Sequence, residues 1–158
     1  MSKNPKIAVL GGGSWATAIV KMLCENLEQV GWYMRNQSVV DYIKENEHNP
    51  NYISSAEFNV NQLFLSSDIN EMVKYADILI FAIPSAFVKA ELDKINLDLS
   101  SKIVVSAIKG IIPESGLIVG EHFNKKLDIP IEMVAKYLKL QEVKWCELKI
   151  IRRTKPIM

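Results

Sequence analysis

Hydrophobic residues in this chain fall into two alternating kinds of segment. Short continuous apolar runs, rich in β-branched residues, end at glycine, proline or polar residues and predict buried strands. These runs lie at residues 6–10, 30–34, 63–65, 76–83 and 102–108. Segments with apolar residues three or four positions apart follow the runs and predict amphipathic helices. These segments lie at residues 14–27, 39–43, 87–95 and 116–123, and a further helix start at residues 67–71 is indicated by an N-cap candidate before an acidic first turn.

The order of these segments predicts an α/β fold built on a doubly wound parallel sheet, the Rossmann architecture. Strands that alternate with helices pair in parallel through right-handed crossovers. The strand runs lack the polar alternation of a half-exposed sheet, as expected when helices cover both faces. The pattern therefore predicts a single doubly wound α/β domain with helices on both faces of its sheet.

Composition narrows the class of protein further. The 158 residues are 49% hydrophobic and 23% charged, which fits one globular domain and excludes intrinsic disorder. A net charge of +1 gives no general attraction to nucleic acid or to an anionic membrane, and we expect neither as a partner. The longest apolar run, residues 78–88, is about half a membrane span, and the N-terminus has no signal-peptide core. Metal-ligand spacing is absent among Cys24, Cys146, His48 and His122, so we expect no metal site and two solvated histidines. Since the sequence also shows no disulfide framework and no signal-peptide core, we expect a cytoplasmic protein.

The turn after the first predicted strand matches the pattern G-x-G-x-x-G/A over residues 11–16. With a strand before it and a helix after it, this pattern is specific for dinucleotide binding. Gly11 permits the tight turn, the missing Cβ of Gly13 lets a pyrophosphate approach the backbone, and Ala16 lets the helix pack closely. The N–H groups at the helix start then face the anion. The sequence predicts a site for NAD or NADP, against the alternative of a glycine turn kept only for packing.

Arg35 stands at the end of the second predicted strand, 22 positions after Gly13. An NAD-preferring site has an acidic residue there, which accepts from the ribose 2′-hydroxyl. A guanidinium can instead hold a 2′-phosphate bidentately and stack on adenine. Arg35 therefore favours NADP or the use of both cofactors, and the alternative is a solvated arginine at a strand end.

Further candidate residues follow the fourth and fifth predicted strands, at the same edge of the sheet. Lys109 follows the fifth strand, where an ammonium group could hold an anionic substrate or polarise a carbonyl oxygen. The alternative for Lys109 is a surface lysine. Pro84 and Phe87 follow the fourth strand, and Phe87 could wall the nicotinamide pocket or pack in the helix core. Trp15 has a similar pair of interpretations, cofactor contact or packing.

Six motifs, taken together, resemble a known family. They are GGGSWATA at 11–18, NPNY at 49–52, SDI at 67–69, AD at 76–77, PS at 84–85 and SAIKG at 106–110. In this order and spacing the chain resembles bacterial NAD(P)-dependent glycerol-3-phosphate dehydrogenase, from about residue 6 to about residue 124. The resemblance implies hydride transfer between NAD(P)H and dihydroxyacetone phosphate, which makes sn-glycerol 3-phosphate for phospholipid synthesis.

The resemblance also implies roles for individual residues. The family's cofactor contacts map onto Ser14, Trp15, Arg35, Tyr52 and Lys109. Its lysine after the fifth strand, which touches substrate, maps onto Lys109 as well. Lys109 is therefore the candidate catalytic residue.

The chain departs from the family after residue 130. Residues 131–158 hold 7 Lys+Arg against 3 Asp+Glu, whereas residues 1–130 hold 12 against 15. No glycine follows Gly120, so the family's Gly-Pro turn is absent. We expect residues 1–130 to form the NAD(P)-binding domain and residues 131–158 an atypical basic tail, without the family's helical catalytic domain. A frameshift, a native short variant and a recombinant fragment are the three competing explanations.

This departure limits the expected function. Residues 1–130 include Lys109 but no second acid and no evident cradle for a substrate phosphate. We expect the chain to bind NAD(P)H with little or no turnover, and the apolar surface bared by the missing domain favours a homo-oligomer. A non-catalytic nucleotide-sensing module is the alternative. Another Rossmann dehydrogenase is disfavoured by Ile-Lys-Gly at 108–110.

Overall fold

The computed structural model describes residues 5–127 and confirms the predicted alternation of strands and helices. The strands are β1 Ile7–Leu10, β2 Val30–Tyr33, β3 Leu63–Ser66, β4 Ile78–Phe81 and β5 Ile103–Ser106. The α-helices are α1 Ser14–Cys24, α2 Gln37–Asn46, α3 Ile69–Tyr75, α4 Ser85–Leu92 and α5 Val119–Leu127. A short 3₁₀ helix, Val60–Gln62, precedes β3 and is not predicted by the hydrophobic pattern. The basic tail predicted from residue 131 lies outside the described residues.

The five strands form one parallel sheet in the order β3-β2-β1-β4-β5. Ile7 of β1 pairs with Val30 of β2 on one side and with Ile78 of β4 on the other. The chain winds outward from β1 to β3, crosses over, and then winds outward from β4 to β5. The direction of winding therefore reverses between β1 and β4, and sheets of this kind bind ligands at the carboxyl ends of the strands beside that reversal.

Helices cover both faces of the sheet, as a doubly wound fold requires. On one face, Val9 of β1 packs with buried residues of α1 and α2. On the other face, Ala8 and Leu10 pack with buried residues of α3, α4 and α5. Every residue of β2 and of β4 is buried. This burial on both faces explains why the strands show apolar runs rather than alternation.

The helices differ in how their first N–H groups are satisfied. Asn36 caps α2 by accepting from the N–H of Ser38, and Asp68 caps α3 by accepting from the N–H of Asn70. By contrast, the N-cap residues of α1 and α4 are Gly13 and Pro84, and neither helix has a side-chain cap. These two helices follow β1 and β4, the strands beside the reversal of winding. Their free N–H groups therefore lie where the fold predicts a ligand.

Candidate functional site

The glycine turn joins β1 to α1 at the centre of the sheet, and its first residue is fixed by sterics. Gly11 has φ +136°, a conformation that other residues rarely adopt. A Cβ added there would lie 2.3 Å from the carbonyl oxygen of Ala82, the residue that follows β4. Ala16 is completely buried in the core between α1 and the sheet, as the need for a small residue there predicts. Gly11 and Ala16 therefore serve the close approach of the turn to its neighbours.

Gly13 is different, because nothing in the fold requires a glycine at this position. Its backbone is extended, with φ −80° and ψ 177°, and a Cβ added there would meet no atom within 4 Å. It is the N-cap residue of α1, a position where a Ser, Thr, Asp or Asn side chain normally binds the first N–H groups. The open space and the uncapped helix leave this part of the backbone accessible to an anion.

Arg35 and Phe87 come together across the carboxyl edge of the sheet. Arg35 follows β2, Phe87 lies in the first turn of α4, and the guanidinium carbon is 4.3 Å from the centre of the Phe87 ring. This distance is typical of a cation–π contact. Phe87 is 40% exposed, so the interpretation that it packs in the helix core is wrong. In the described part of the chain no carboxylate forms an ion pair with Arg35, which leaves its charge available to a phosphate.

Lys109 lies in the loop after β5 and is exposed. Gly110 follows it with φ +89°, and a Cβ added to Gly110 would lie 4.0 Å from the Ser85 hydroxyl oxygen. The Lys109 loop therefore runs beside the start of α4, where Pro84 is exposed. Within residues 5–127 the Lys109 ammonium makes no ion pair.

Exposed aromatic side chains lie on the segments around the turn. Trp15, in the first turn of α1, is 43% exposed, so it is not a core residue as the packing interpretation required. Ser14 beside it is also exposed. Tyr52 is 46% exposed and lies in the connection between α2 and the 3₁₀ helix. The side chain of Asn49, three residues before Tyr52, donates to the carbonyl of Gly12 at 3.1 Å. The structure thus attaches the Tyr52 segment to the glycine turn.

The buried hydrogen bond between Tyr33, two residues before Arg35, and Glu91 was not predicted from the sequence. Tyr33, the last residue of β2, donates its phenolic hydrogen to Glu91 Oε2 at 2.5 Å, and Lys94 Nζ lies 2.9 Å from Glu91 Oε1. Burial, with the Glu91 hydrogen bond and charge, raises the pKa of Tyr33 above its usual range. The pair connects β2 to α4, the elements that precede Arg35 and carry Phe87. No local signal reveals it, because the partners are 58 residues apart.

The prediction of a solvated His122 is wrong. Its side chain is buried on α5, and Nδ1 lies 3.2 Å from the Ser115 hydroxyl oxygen. α5 turns His122 inward together with Val119 and Phe123, which pack on the sheet. His48 is half-buried, with Nδ1 2.7 Å from the Asn46 carbonyl oxygen. Within residues 5–127 no group of three His, Cys, Asp or Glu side chains could hold a metal ion.

A doubly wound parallel sheet with an uncapped helix and a glycine turn at its point of reversal defines a nucleotide-binding α/β domain. The family model described as NAD-dependent glycerol-3-phosphate dehydrogenase N-terminus matches residues 6–136. The chain belongs to this family, and the predicted family and fold are confirmed.

Individual relatives agree with the family assignment. The chain is 35% identical over 123 residues to glycerol-3-phosphate dehydrogenase [NAD(P)+] of Nitratidesulfovibrio vulgaris, covering 77% of this chain and 37% of the relative. It is 34% identical to the protein of the same name from Tropheryma whipplei, over 78% of this chain and 35% of the relative. The chain therefore spans little more than a third of the length of these relatives.

Solved structures show the same fold. A structure of Plasmodium falciparum glycerol-3-phosphate dehydrogenase matches with TM-score 0.67 and 25% identity, over 79% of this chain and 38% of that one. A structure of the Coxiella burnetii enzyme matches with TM-score 0.66 and 20% identity, over 78% and 38%.

Proposed function

We propose that this chain binds NAD or NADP and places the cofactor diphosphate on the N–H groups at the start of α1. The observation that supports this most directly is Gly13. The protein itself would accept a side chain at this N-cap position, since the backbone is extended and the space beside it is open. A ligand that lies against the backbone explains the glycine, and a diphosphate is the anion that the glycine turn, the uncapped helix and the family all favour.

In this proposal the Arg35–Phe87 contact lies at the adenosine end of the cofactor, so Phe87 does not wall the nicotinamide pocket as the sequence suggested. The Phe87 ring covers one face of the guanidinium, whose carbon lies 4.3 Å from the centre of the ring. The N–H groups of the guanidinium stay free to bind an anion. A 2′-phosphate would receive two hydrogen bonds from such a group. We therefore propose that the site accepts NADP as well as NAD. Trp15 and Tyr52 supply exposed aromatic surface for the remainder of the nucleotide.

For the reaction, we propose the family's conversion of dihydroxyacetone phosphate to sn-glycerol 3-phosphate, in which this fold supplies the cofactor site. When bound, the nicotinamide supplies the hydride. Lys109 holds the substrate at the carboxyl edge, where its ammonium can bind the phosphate or polarise the ketone oxygen. Proton delivery to that oxygen requires a second acid, and the candidate residues of this chain provide none. We propose that the chain alone binds the cofactor with little or no turnover.

The location and assembly of the chain are also proposals. Among the described helices, none is both long and apolar enough to cross a lipid bilayer. We place the protein in the cytoplasm, with a small-molecule substrate and without nucleic acid or membrane partners. We further propose that the chain forms homo-oligomers through exposed apolar side chains, among them Ile111 and Ile118. A monomer in light scattering would contradict this last point.

Calorimetric titration of the chain with NADH and NADPH tests the proposed function. Saturable binding of either cofactor, with one site per chain, is the expected result. A repeat with glycerol 3-phosphate present distinguishes a dehydrogenase domain from a nucleotide sensor, because only the former should respond to this compound. Absence of cofactor binding in a folded sample would refute the proposal.

A further inference from the structure

We infer that Asn49 is a positioning residue for the diphosphate site, because its side-chain amide fixes the orientation of the peptide between Gly12 and Gly13. This inference rests on the proposed cofactor function and adds a residue from outside the glycine turn. The side chain of Asn49 is completely buried. Its Nδ2 donates to the carbonyl oxygen of Gly12 at 3.1 Å and to Thr17 Oγ1 at 2.9 Å, and its Oδ1 accepts from the N–H of Asn51 at 3.0 Å.

With this bond, all three carbonyl groups of the turn, those of Gly11, Gly12 and Gly13, accept hydrogen bonds from the protein. Trp32 Nε1 donates to the Gly11 carbonyl at 2.8 Å. The Gly13 carbonyl accepts from the backbone N–H of Thr17 at 2.9 Å and from its hydroxyl at 3.0 Å. Asn49 holds the Gly12 carbonyl between them. Each carbonyl of the turn is therefore directed toward a donor in the protein.

Because these carbonyl groups are fixed by hydrogen bonds, the directions of the N–H groups in the same peptides are fixed as well. The described chain has no cis peptide bond, and in a trans peptide the C=O and the following N–H point in opposite directions. The peptides that carry the Gly11, Gly12 and Gly13 carbonyls also carry the N–H groups of Gly12, Gly13 and Ser14. None of these three N–H groups donates to an acceptor within residues 5–127. They form a preorganised array for an anion, and such concave arrays of backbone N–H groups bind phosphate.

Asn49 is the member of this set that reaches the turn from a separate loop. Trp32 is a core residue of β2, and the Thr17 bonds are local to the first turn of α1. Asn49 comes from a separate loop, 37 residues after Gly12, and burying an amide side chain is unfavourable unless its hydrogen bonds are made. The loop that it anchors also carries Tyr52. Loss of the Asn49 amide should release the Gly12 peptide and weaken binding of any ligand that uses the array.

The test compares Asn49 variants with a matched control in the full 158-residue chain. Asn70 makes the same two kinds of bond elsewhere, donating to the Lys94 carbonyl at 3.0 Å and accepting from the N–H of Asn96 at 3.0 Å. The probe is ADP-ribose, which contains the diphosphate without the nicotinamide. Calorimetry gives its Kd, thermal unfolding gives Tm, and amide NMR follows Gly12, Gly13 and Ser14.

The expected result separates binding from stability. Asn49→Ala should weaken ADP-ribose binding by about 10-fold, the equivalent of one hydrogen bond to a charged group, whereas Asn70→Ala should change it by less than about 2-fold. Both variants should lower Tm. Asn49→Asp keeps the acceptor for Asn51 but turns a carboxylate toward the Gly12 carbonyl, so it should weaken binding at least as much. In the wild type, the three amide signals should shift on binding.

Several results would overturn the inference. One is an Asn49→Ala or Asn49→Asp variant that binds ADP-ribose as tightly as the wild type does. Another is an equal loss of ADP-ribose affinity in Asn70→Ala. If neither Asn49 variant folds, the wild-type titration decides, because unmoved Gly12, Gly13 and Ser14 amides contradict an oriented array. A wild-type chain that binds no ADP-ribose would refute the proposed function itself, whereas tight wild-type binding with unaffected Asn49 variants would refute only the role of Asn49.

Discussion

Replacing Gly13 by serine should stabilise the fold and weaken cofactor binding at the same time. The two effects have separate structural causes. The backbone at Gly13, with φ −80° and ψ 177°, is one that serine adopts without strain, and a Cβ there meets no atom within 4 Å. Serine is also a favoured N-cap, since its hydroxyl oxygen can accept from the free N–H groups of α1. The folded state therefore gains a cap and encounters no clash.

The size of each effect follows from these contacts. Removing a glycine from the unfolded chain and adding a cap should together raise the free energy of unfolding by about 0.5–1.5 kcal/mol. For a chain of this length that corresponds to a Tm increase of roughly 2–5 °C. The new side chain would occupy the approach of the diphosphate and compete for its N–H donors. Loss of one or more hydrogen bonds to a charged group should weaken NADPH binding by roughly 10- to 100-fold.

Thermal unfolding and calorimetry with NADPH measure the two effects on the same sample. Gly11→Ala provides the control, because its φ of +136° and a Cβ at 2.3 Å from the Ala82 carbonyl oxygen predict a less stable protein. Gly13→Ser that binds NADPH like the wild type would refute the assignment of the diphosphate to this turn. A lowered Tm in Gly13→Ser would refute the claim that the fold leaves room for a side chain.

Three further outcomes are expected. Arg35→Ala should weaken NADPH binding by about tenfold and NADH binding by less than about threefold in parallel titrations, because a phosphate contact is lost; equal losses would contradict it. Burial and the Glu91 bond raise the pKa of Tyr33 in the folded state, so its stabilising contribution is present below about pH 10 and is lost as pH rises through the raised value. The urea concentration at the unfolding midpoint should therefore decrease as the pH rises above about 10, and it should decrease less in Tyr33→Phe. Identical pH profiles for the wild type and Tyr33→Phe would contradict this. An NADPH oxidation assay with dihydroxyacetone phosphate should show little or no turnover for this chain, and a rate typical of a complete dehydrogenase would refute that expectation.

Local patterns were sufficient to predict most of the fold. The strands are apolar on both faces and the helices carry one apolar stripe, so each element is visible in its own sequence. The glycine turn was visible for the same reason, since its spacing, the strand before it and the helix after it lie within about 20 consecutive residues. The 3₁₀ helix was missed because three residues carry no periodicity of their own.

Contacts between distant segments could not be predicted in this way. Tyr33 and Glu91 are 58 residues apart, and Asn49 lies 37 residues after Gly12. Nothing in a single sequence states which segments meet, so the buried partners of these polar side chains became known only from the structure. Phe87 shows the same limit: helical spacing suggested a core position, but Arg35 from another strand end covers part of its ring. His122 was predicted solvated because the direction in which α5 faces the sheet was not known.

A crystal structure of the chain with NADPH tests the central claim most directly. We predict that the diphosphate oxygens lie about 3 Å from the backbone nitrogens at the start of α1, next to Gly13. The 2′-phosphate should lie against Arg35. A cofactor bound at another edge of the sheet, or one whose diphosphate makes no contact with these nitrogens, would contradict the account.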